Sequence, residues 1–300
     1  MKKKNSLKKI IRENGIRYIM FLPVLLYIII FQIWPMTGMV LAFQDYRIVG
    51  DNPWVGLKHF RNLFSSPAFF NVMKNTLIIS FMKMILLFPI PVIVALLISE
   101  IKSEKFRKYI QSVIYLPHFL SWVVLAGIWI KILSPTGAIN QILNVFNIPE
   151  FNFMTEKGSI RWVLVFSEMW RSAGWDSIVY VAALMRISPQ LYEAAEIDGA
   201  SKIKQLMYIT LPELKTTIVT VFILNLGFFL NAGFDQVYNL MNDSVISVID
   251  ILDIYVYRIG LVNGQYSFAT AAGLFKGCIG VVMIVSTHFI AKKFTGKGVW

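Results

Sequence analysis

Long runs of apolar residues divide the chain, and most polar residues fall between them. The runs cover about residues 17–43, 71–99, 109–133, 161–186, 214–233 and 265–291. Each is long enough, as a helix, to cross roughly 30 Å of hydrocarbon. In lipid the backbone must satisfy its own hydrogen bonds, which predicts helices for all six. The expected fold is an all-α membrane protein with six transmembrane helices. The second run holds Pro89 and Pro91, so it should kink or unwind locally. The first run follows a basic tail, as a signal peptide would, but a signal core is only about 7–15 residues long. It is therefore read as a retained span. The expected organisation is a tail over 1–16, a membrane domain over 17–291 and a second tail over 292–300.

The polar segments set the orientation. Lys2, Lys3, Lys4, Lys8, Lys9 and Arg12 lie before the first run. Lys102, Lys105, Arg107 and Lys108 fill the second loop, Arg186, Lys202 and Lys204 the fourth, and Lys292, Lys293 and Lys297 the C-terminal tail. The fifth loop instead carries Asp235, Asp243, Asp250 and Asp253 against Arg258. Basic loops stay in the cytoplasm, which places both termini inside. Arg47, Lys58 and Arg61 in the first loop run against this trend. Outer loops over 44–70, 134–160 and 234–264 leave room for short helices, one of them over 138–146 after the turn Ser134-Pro135-Thr136-Gly137.

Composition agrees with a membrane protein. Of 300 residues, 56% are hydrophobic and 15% charged, and the mean hydropathy is +0.62. A soluble domain carries about 25% charge. The net charge of +12 sits in short clusters between the apolar runs, which suits lipid surfaces and topology rather than a nucleic-acid groove. The lone Cys278 lies in an apolar run and is read as a buried small hydrophobe. No catalytic or metal-binding set is visible. His59, His118 and His288 are far apart, and neither H-E-x-x-H nor G-x-S-x-G occurs. Gly296-Lys297 fails as a phosphate loop, because Ala291 stands where its first glycine belongs and Gly298 replaces the hydroxyl residue. The chain is not read as an enzyme, and it holds no cofactor or metal of its own.

The fourth loop, 188–212, is unusual. Ser188 and Pro189 make a good helix start and Gly199 a good stop, predicting an isolated helix of about three turns. A second helix should begin near Ser201 and run through Ile209-Thr210-Leu211-Pro212 into the fifth span. Leu191, Tyr192, Ala194, Ala195 and Ile197 give the short helix more apolar surface than a solvated helix needs. The residues alone leave two readings open: a helix laid into a partner's groove, or one packed on its own bundle.

The spacing carries a resemblance. Glu193, Ala194, Ala195, Gly199, Ile209, Leu211 and Pro212, with Asp198 before the glycine, resemble the E-A-A signature of permease subunits of bacterial ABC importers. In that family this loop forms the coupling helix, which docks into a cleft on the ATPase subunit. Further runs, among them Phe43-Gln44-Asp45-Tyr46, Trp54-Val55-Gly56-Leu57, Asn75-Thr76-Leu77, Leu116-Pro117-His118-Phe119-Leu120-Ser121-Trp122-Val123-Val124, Phe234-Asp235-Gln236-Val237-Tyr238 and Ala271-Ala272-Gly273-Leu274-Phe275, look like the carbohydrate-type permeases. Within these they resemble the LplB-type subfamily, which is related to the maltose-permease subunits. The resemblance implies a type I importer fold and a heterodimer with a second, homologous permease. It also implies a lipid-anchored solute-binding protein outside, two ATPase subunits inside that bind ATP and Mg, and an oligosaccharide as substrate.

Charges inside spans are costly and usually face a cavity or a partner. Lys83, Glu168, Arg171, Asp176 and Lys276 are such charges. Glu168, Trp170, Arg171, Trp175 and Asp176 on the fourth span combine ionic groups with flat apolar surface, as a sugar path requires. Asn225, Phe228 and Asn231 add a second candidate set on the fifth. The same residues also fit a packing role, with paired charges fixing helices and tryptophans at the interface. Ala269, Gly273 and Gly277 form a small-residue stripe suited to close helix approach. The expected function is import of a carbohydrate by alternating access across a bacterial cytoplasmic membrane. A secondary transporter would need an intramembrane acid relay and inverted repeats, and neither is seen. A glycan exporter or assembly scaffold, and more weakly a membrane enzyme, are the other rivals.

Overall fold

The computed structural model describes residues 7–295, with side chains over 15–289. The outermost parts of both basic tails, 1–6 and 296–300, lie outside the described residues. All regular elements among the described residues are helical, and the chain divides into two compact units.

The first unit comprises Met1–Ser65 and Ile259–Leu274. Helix α1 (Leu7–Ile28) runs into a π-turn (Ile29–Ile33), a short α2 (Trp34–Met36) and a 3-10 stretch (Thr37–Phe43). Gly15–Phe43 forms a candidate span of 29 residues, and its most apolar stretch buries nothing within this chain. The loop that follows is pinned by its own ends. Gln44 and Trp54 form an antiparallel bridge, and Asp45 N donates to the Pro53 carbonyl at 2.9 Å. Phe43 stacks on Trp54 at 5.7 Å. In α3 (Lys58–Phe64), buried His59 bonds the Gln44 carbonyl through Nε2 at 3.0 Å. The runs Phe43–Tyr46 and Trp54–Leu57 are thus two halves of one closed loop. Tyr46 N donates to Ser267 Oγ at 2.9 Å, at the start of α16 (Tyr266–Thr295).

The second unit comprises Ser66–Arg258 and Phe275–Trp300. Ser66 caps α4 (Pro67–Leu87), and α5 (Pro89–Ser99) follows after the single residue Phe88, whose backbone stays helical. Together they make one candidate span, Pro67–Ser99, so the prolines break the hydrogen-bond ladder without bending the rod sharply. Next come α6 (Glu104–Tyr115), a 3-10 turn (Leu116–Phe119), α7 (Trp122–Ile132) and α8 (Ala138–Val145). The central helix, α9 (Ile160–Leu184), packs mainly on α5 and also touches α4, α6 and α12. The loop 188–212 contains α10 (Pro189–Ile197), α11 (Lys202–Gln205) and a π-turn (Leu206–Thr210) before α12 (Leu211–Gly227). Three short helices, α13 (Phe234–Leu240), α14 (Ile246–Ile249) and α15 (Leu252–Tyr257), follow in the unit. Its core joins Ile79, Leu164, Val237, Leu240, Ile249 and Ile251. Polar ties fix the outer segment: Arg161 donates to Asn75 Oδ1 at 2.9 Å, Asn75 Nδ2 to the Ser247 carbonyl at 3.1 Å, and Leu252 N to Thr76 Oγ1 at 2.9 Å.

Three expectations are corrected. The run 109–133 is not one straight helix but a pair bent by 102°. Pro117 lacks a backbone donor, Leu120 is extended, and Ser121 caps the next helix by accepting from Val124 N at 3.4 Å. The fifth helix ends at Gly227 rather than near 233, and residues 228–233 leave the helix. Cys278 is exposed in this chain rather than buried. By length and composition four segments qualify as spans, or five with the bent pair. The remaining expected span, α9, has 25 residues. At 1.5 Å per residue it is about 37 Å long, enough to cross, and Arg161, Glu168, Arg171 and Asp176 set it apart from the others. Helix α1 begins at Leu7 and α16 ends at Thr295. A Cβ on Gly273 or Gly277 would meet nothing within 4 Å, so the small-residue stripe makes no close helix contact there. The observed close approach is between Gly260 and Ala269.

Candidate functional site

Two features of the second unit carry candidate function. The first is a cavity of about 570 Å³ between α4, α5, α9 and the end of α12. Its floor is an ionic group. Lys83 Nζ lies 3.5 Å from Glu168 Oε2, and Arg171 Nη1 lies 3.7 Å from Glu168 Oε1. Lys83 also donates to the Ala232 carbonyl at 2.7 Å and to Gln236 Oε1. Gln236 in turn donates to the Leu164 carbonyl at 2.7 Å and to Ser167 Oγ at 2.8 Å. One lysine therefore satisfies a carbonyl released where α12 unwinds and locks α4, α9 and α13 together. Gly233 has φ +96°, and a Cβ there would stand 2.9 Å from Lys83 Nζ, so this corner accepts only glycine.

The cavity wall is aromatic. His118 stacks on Trp175 at 4.5 Å, and the Arg171 guanidinium lies 5.3 Å from the centre of the Trp122 ring. Asp176, Asn225, Phe228 and Asn231 line the same space. Asn231 also accepts from Lys276 Nζ at 2.9 Å, and Lys276 pairs with Asp253 at 2.6 Å. Three lining residues present buried polar atoms with no hydrogen-bond partner among the described residues: Ser80 Oγ, His118 Nδ1 and Arg171 Nε. Such atoms suit a polar ligand. Of the expected set, Glu168, Arg171, Trp175, Asp176, Asn225, Phe228 and Asn231 come together here. Trp170 does not. It points away from the cavity and meets Trp129 edge-on at 5.8 Å. Residues 170 and 175 lie about 140° apart around a helix, so one wall takes only one of them.

Lys83, Gln236 and Trp122 are parts of this site beyond the expected set. The signal for Lys83 was present, as a charge inside an apolar run. Gln236 and Trp122 were legible only as members of family-like runs.

The second feature is the loop 188–212. Helix α10 is closed by a glycine turn in which Ala200 N donates to the Ala195 carbonyl at 2.8 Å and Gly199 N to the Glu196 carbonyl at 3.1 Å. Gly199 takes φ +74°, the left-handed conformation such a turn requires. Ser188 stands at the N-cap position, but its hydroxyl makes no capping bond. Glu193, Ala194 and Asp198 are exposed and Ala195 is half-buried. Ile209 lies in the π-turn, and Leu211 and Pro212 open α12. Pro212 has no N–H for the Tyr208 carbonyl, which favours the widened turn just before it. Lys202 Nζ donates to Glu196 Oε1 at 3.0 Å. That bond holds the Glu196 carboxyl below its usual range and the Lys202 ammonium above its own.

Residues 63–296 match the family described as the binding-protein-dependent transport system inner membrane component. The chain belongs to this family. It is a membrane permease component of an ABC transport system, not an enzyme, and has the type I ABC permease fold. Relatives of this inner membrane component span nearly its whole length. It is 40% identical to the polygalacturonan/rhamnogalacturonan transport system permease protein YteP of Bacillus subtilis (strain 168), over 100% of this chain and 94% of that protein. It is 38% identical to protein LplB of the same organism, over 94% and 90% respectively. Among solved structures it resembles a chain of a bacterial alginate ABC transporter in complex with alginate pentasaccharide-bound periplasmic protein. That match has a TM-score of 0.91 and 36% identity, and covers 98% of this chain and 100% of that one.

Proposed function

We propose that this chain is the translocating subunit of an ATP-driven importer that moves an oligosaccharide into the cell by alternating access. Both termini and the loop 188–212 face the cytoplasm. One observation carries the reading. Helix α10 buries none of its residues within the chain, yet it is closed at its C-terminal end by a specific glycine turn. A helix built so carefully and left bare is a docking element. Its partner is one of two ATPase subunits, which hold the ATP and Mg, and a second, homologous permease completes the membrane path. An extracytoplasmic solute-binding lipoprotein delivers the sugar. The related alginate transporter, solved with its periplasmic protein, and the polygalacturonan/rhamnogalacturonan permease support the delivering protein and this substrate class.

The cavity suits a sugar. Aromatic faces such as Trp175 stack on pyranose C–H surfaces, while Glu168, Arg171 and Asp176 offer acceptors and donors for hydroxyls. Membrane lipid surrounds the outer helix faces. Glu193→Lys should abolish uptake while the protein still inserts and assembles with its ATPases. Normal uptake and normal ATPase stimulation by that variant would overturn the coupling role.

A further inference from the structure

Little holds α10 to the rest of the chain. No other helix packs along its length, and none of its residues is buried. A second cavity, about 640 Å³, lies between α10 and the ends of α5 and α9, with Leu97, Glu100, Leu184, Tyr192 and Thr210 in its wall. Packing between α10 and those spans is therefore slight. Two polar links remain. One is the clasp of Lys202 on Glu196 and Gln205, at 3.0 and 3.2 Å, but its ionic side chains are exposed and screened by solvent. The other is a hydrogen bond of 2.9 Å between the Tyr192 and Thr210 hydroxyls. Thr210 is buried, which shelters that bond. Either hydroxyl can donate in it, and Thr210 Oγ1 also lies 3.4 Å from the Gln205 carbonyl.

Thr210 ends the π-turn, and α12 runs on from it without a break to Asn225 in the first cavity. We propose that Tyr192 is the positioning residue that fixes the coupling helix to α12, so that α10 and the cavity-lining helix move as one lever. This rests on the reading of 188–212 as the coupling element. The glycine turn over 198–201 separates α10 from the continuous helix that begins at Lys202, and the side-chain strut bridges that turn.

The test uses the full complex in proteoliposomes, with spin labels at Leu97→Cys and Thr220→Cys in a Cys278→Ser background. Distances are recorded without nucleotide and with Mg-ATP plus vanadate. The parent complex should show a nucleotide-driven change between the labels. Tyr192→Phe and Thr210→Val should each cut the ratio of switched to unswitched complexes about five-fold, the effect of losing one sheltered hydrogen bond. Co-purification of the ATPases should be retained. Thr210→Ser, which keeps the hydroxyl, should respond like the parent, and the double variant Tyr192→Phe/Thr210→Val should lose no more than either single one. Parent-like switching by Tyr192→Phe, or losses that add in the double variant, would overturn the role of Tyr192. Glu193→Lys separates the two readings. If it abolishes switching while Tyr192→Phe does not, only the strut fails. If neither Glu193→Lys nor Tyr192→Phe alters the distance, coupling through this loop fails with it.

Discussion

At the scale of single residues, the cavity depends on how its charges are satisfied. Lys83 is nearly buried and serves Glu168, the Ala232 carbonyl and Gln236 at once. Lys83→Met would leave Glu168 with Arg171 alone and strand a carbonyl and an amide. Removing one member of a buried ion pair costs about 3–5 kcal/mol. Thermal unfolding of the purified complex should show that loss, and Glu168→Gln on top of Lys83→Met should recover part of it. Gly199 is a different case. Its surroundings are open, so only φ +74° resists a side chain there. Gly199→Val should cost about 1–2 kcal/mol locally. Uptake should then fall while insertion, followed by membrane immunoblot, stays normal. The sequence pointed to both positions: to Lys83 as a charge in an apolar run, and to Gly199 as a stop signal. It could not name the partner of Lys83, a backbone carbonyl 149 residues away.

Among helices, pattern and outcome agree where local chemistry decides and diverge where neighbours do. The short helix and its glycine stop formed as expected, although it starts after Ser188 without a side-chain cap. The 102° bend between the 3-10 turn ending at Phe119 and α7 was hidden, because hydropathy over 109–133 is continuous and shows no gap. Pro117, extended Leu120 and the Ser121 cap are the local signals for it. Where α6 crosses α9, Gly174 admits no Cβ, which would collide with the Ile114 carbonyl. Gly174→Val should therefore prevent accumulation of folded protein. Gly127→Ala, whose Cβ would meet nothing, should accumulate like the parent on size-exclusion chromatography of the solubilised complex. Both are glycines in apolar helices, and only the crossing distinguishes them.

For the whole molecule, topology makes a sharp prediction. In a Cys278→Ser background, Ala194→Cys should react with an impermeant maleimide only from the cytoplasmic side, and Asp243→Cys only from outside. Labelling on the opposite sides would reverse the orientation. Composition and the period of the apolar runs were enough to place this chain in a membrane as a helical bundle, because backbone groups in lipid have few other ways to be satisfied. The spacing from Glu193 to Pro212 was enough to mark the family, since a helix, its stop and the next helix are all written within one short stretch. Which charges meet across the cavity, which of Trp170 and Trp175 faces it, and that a tyrosine hydroxyl ties α10 to α12 were decided only by tertiary structure. Those facts depend on helix rotation and crossing, set by packing between residues far apart in the chain, and no local pattern encodes them.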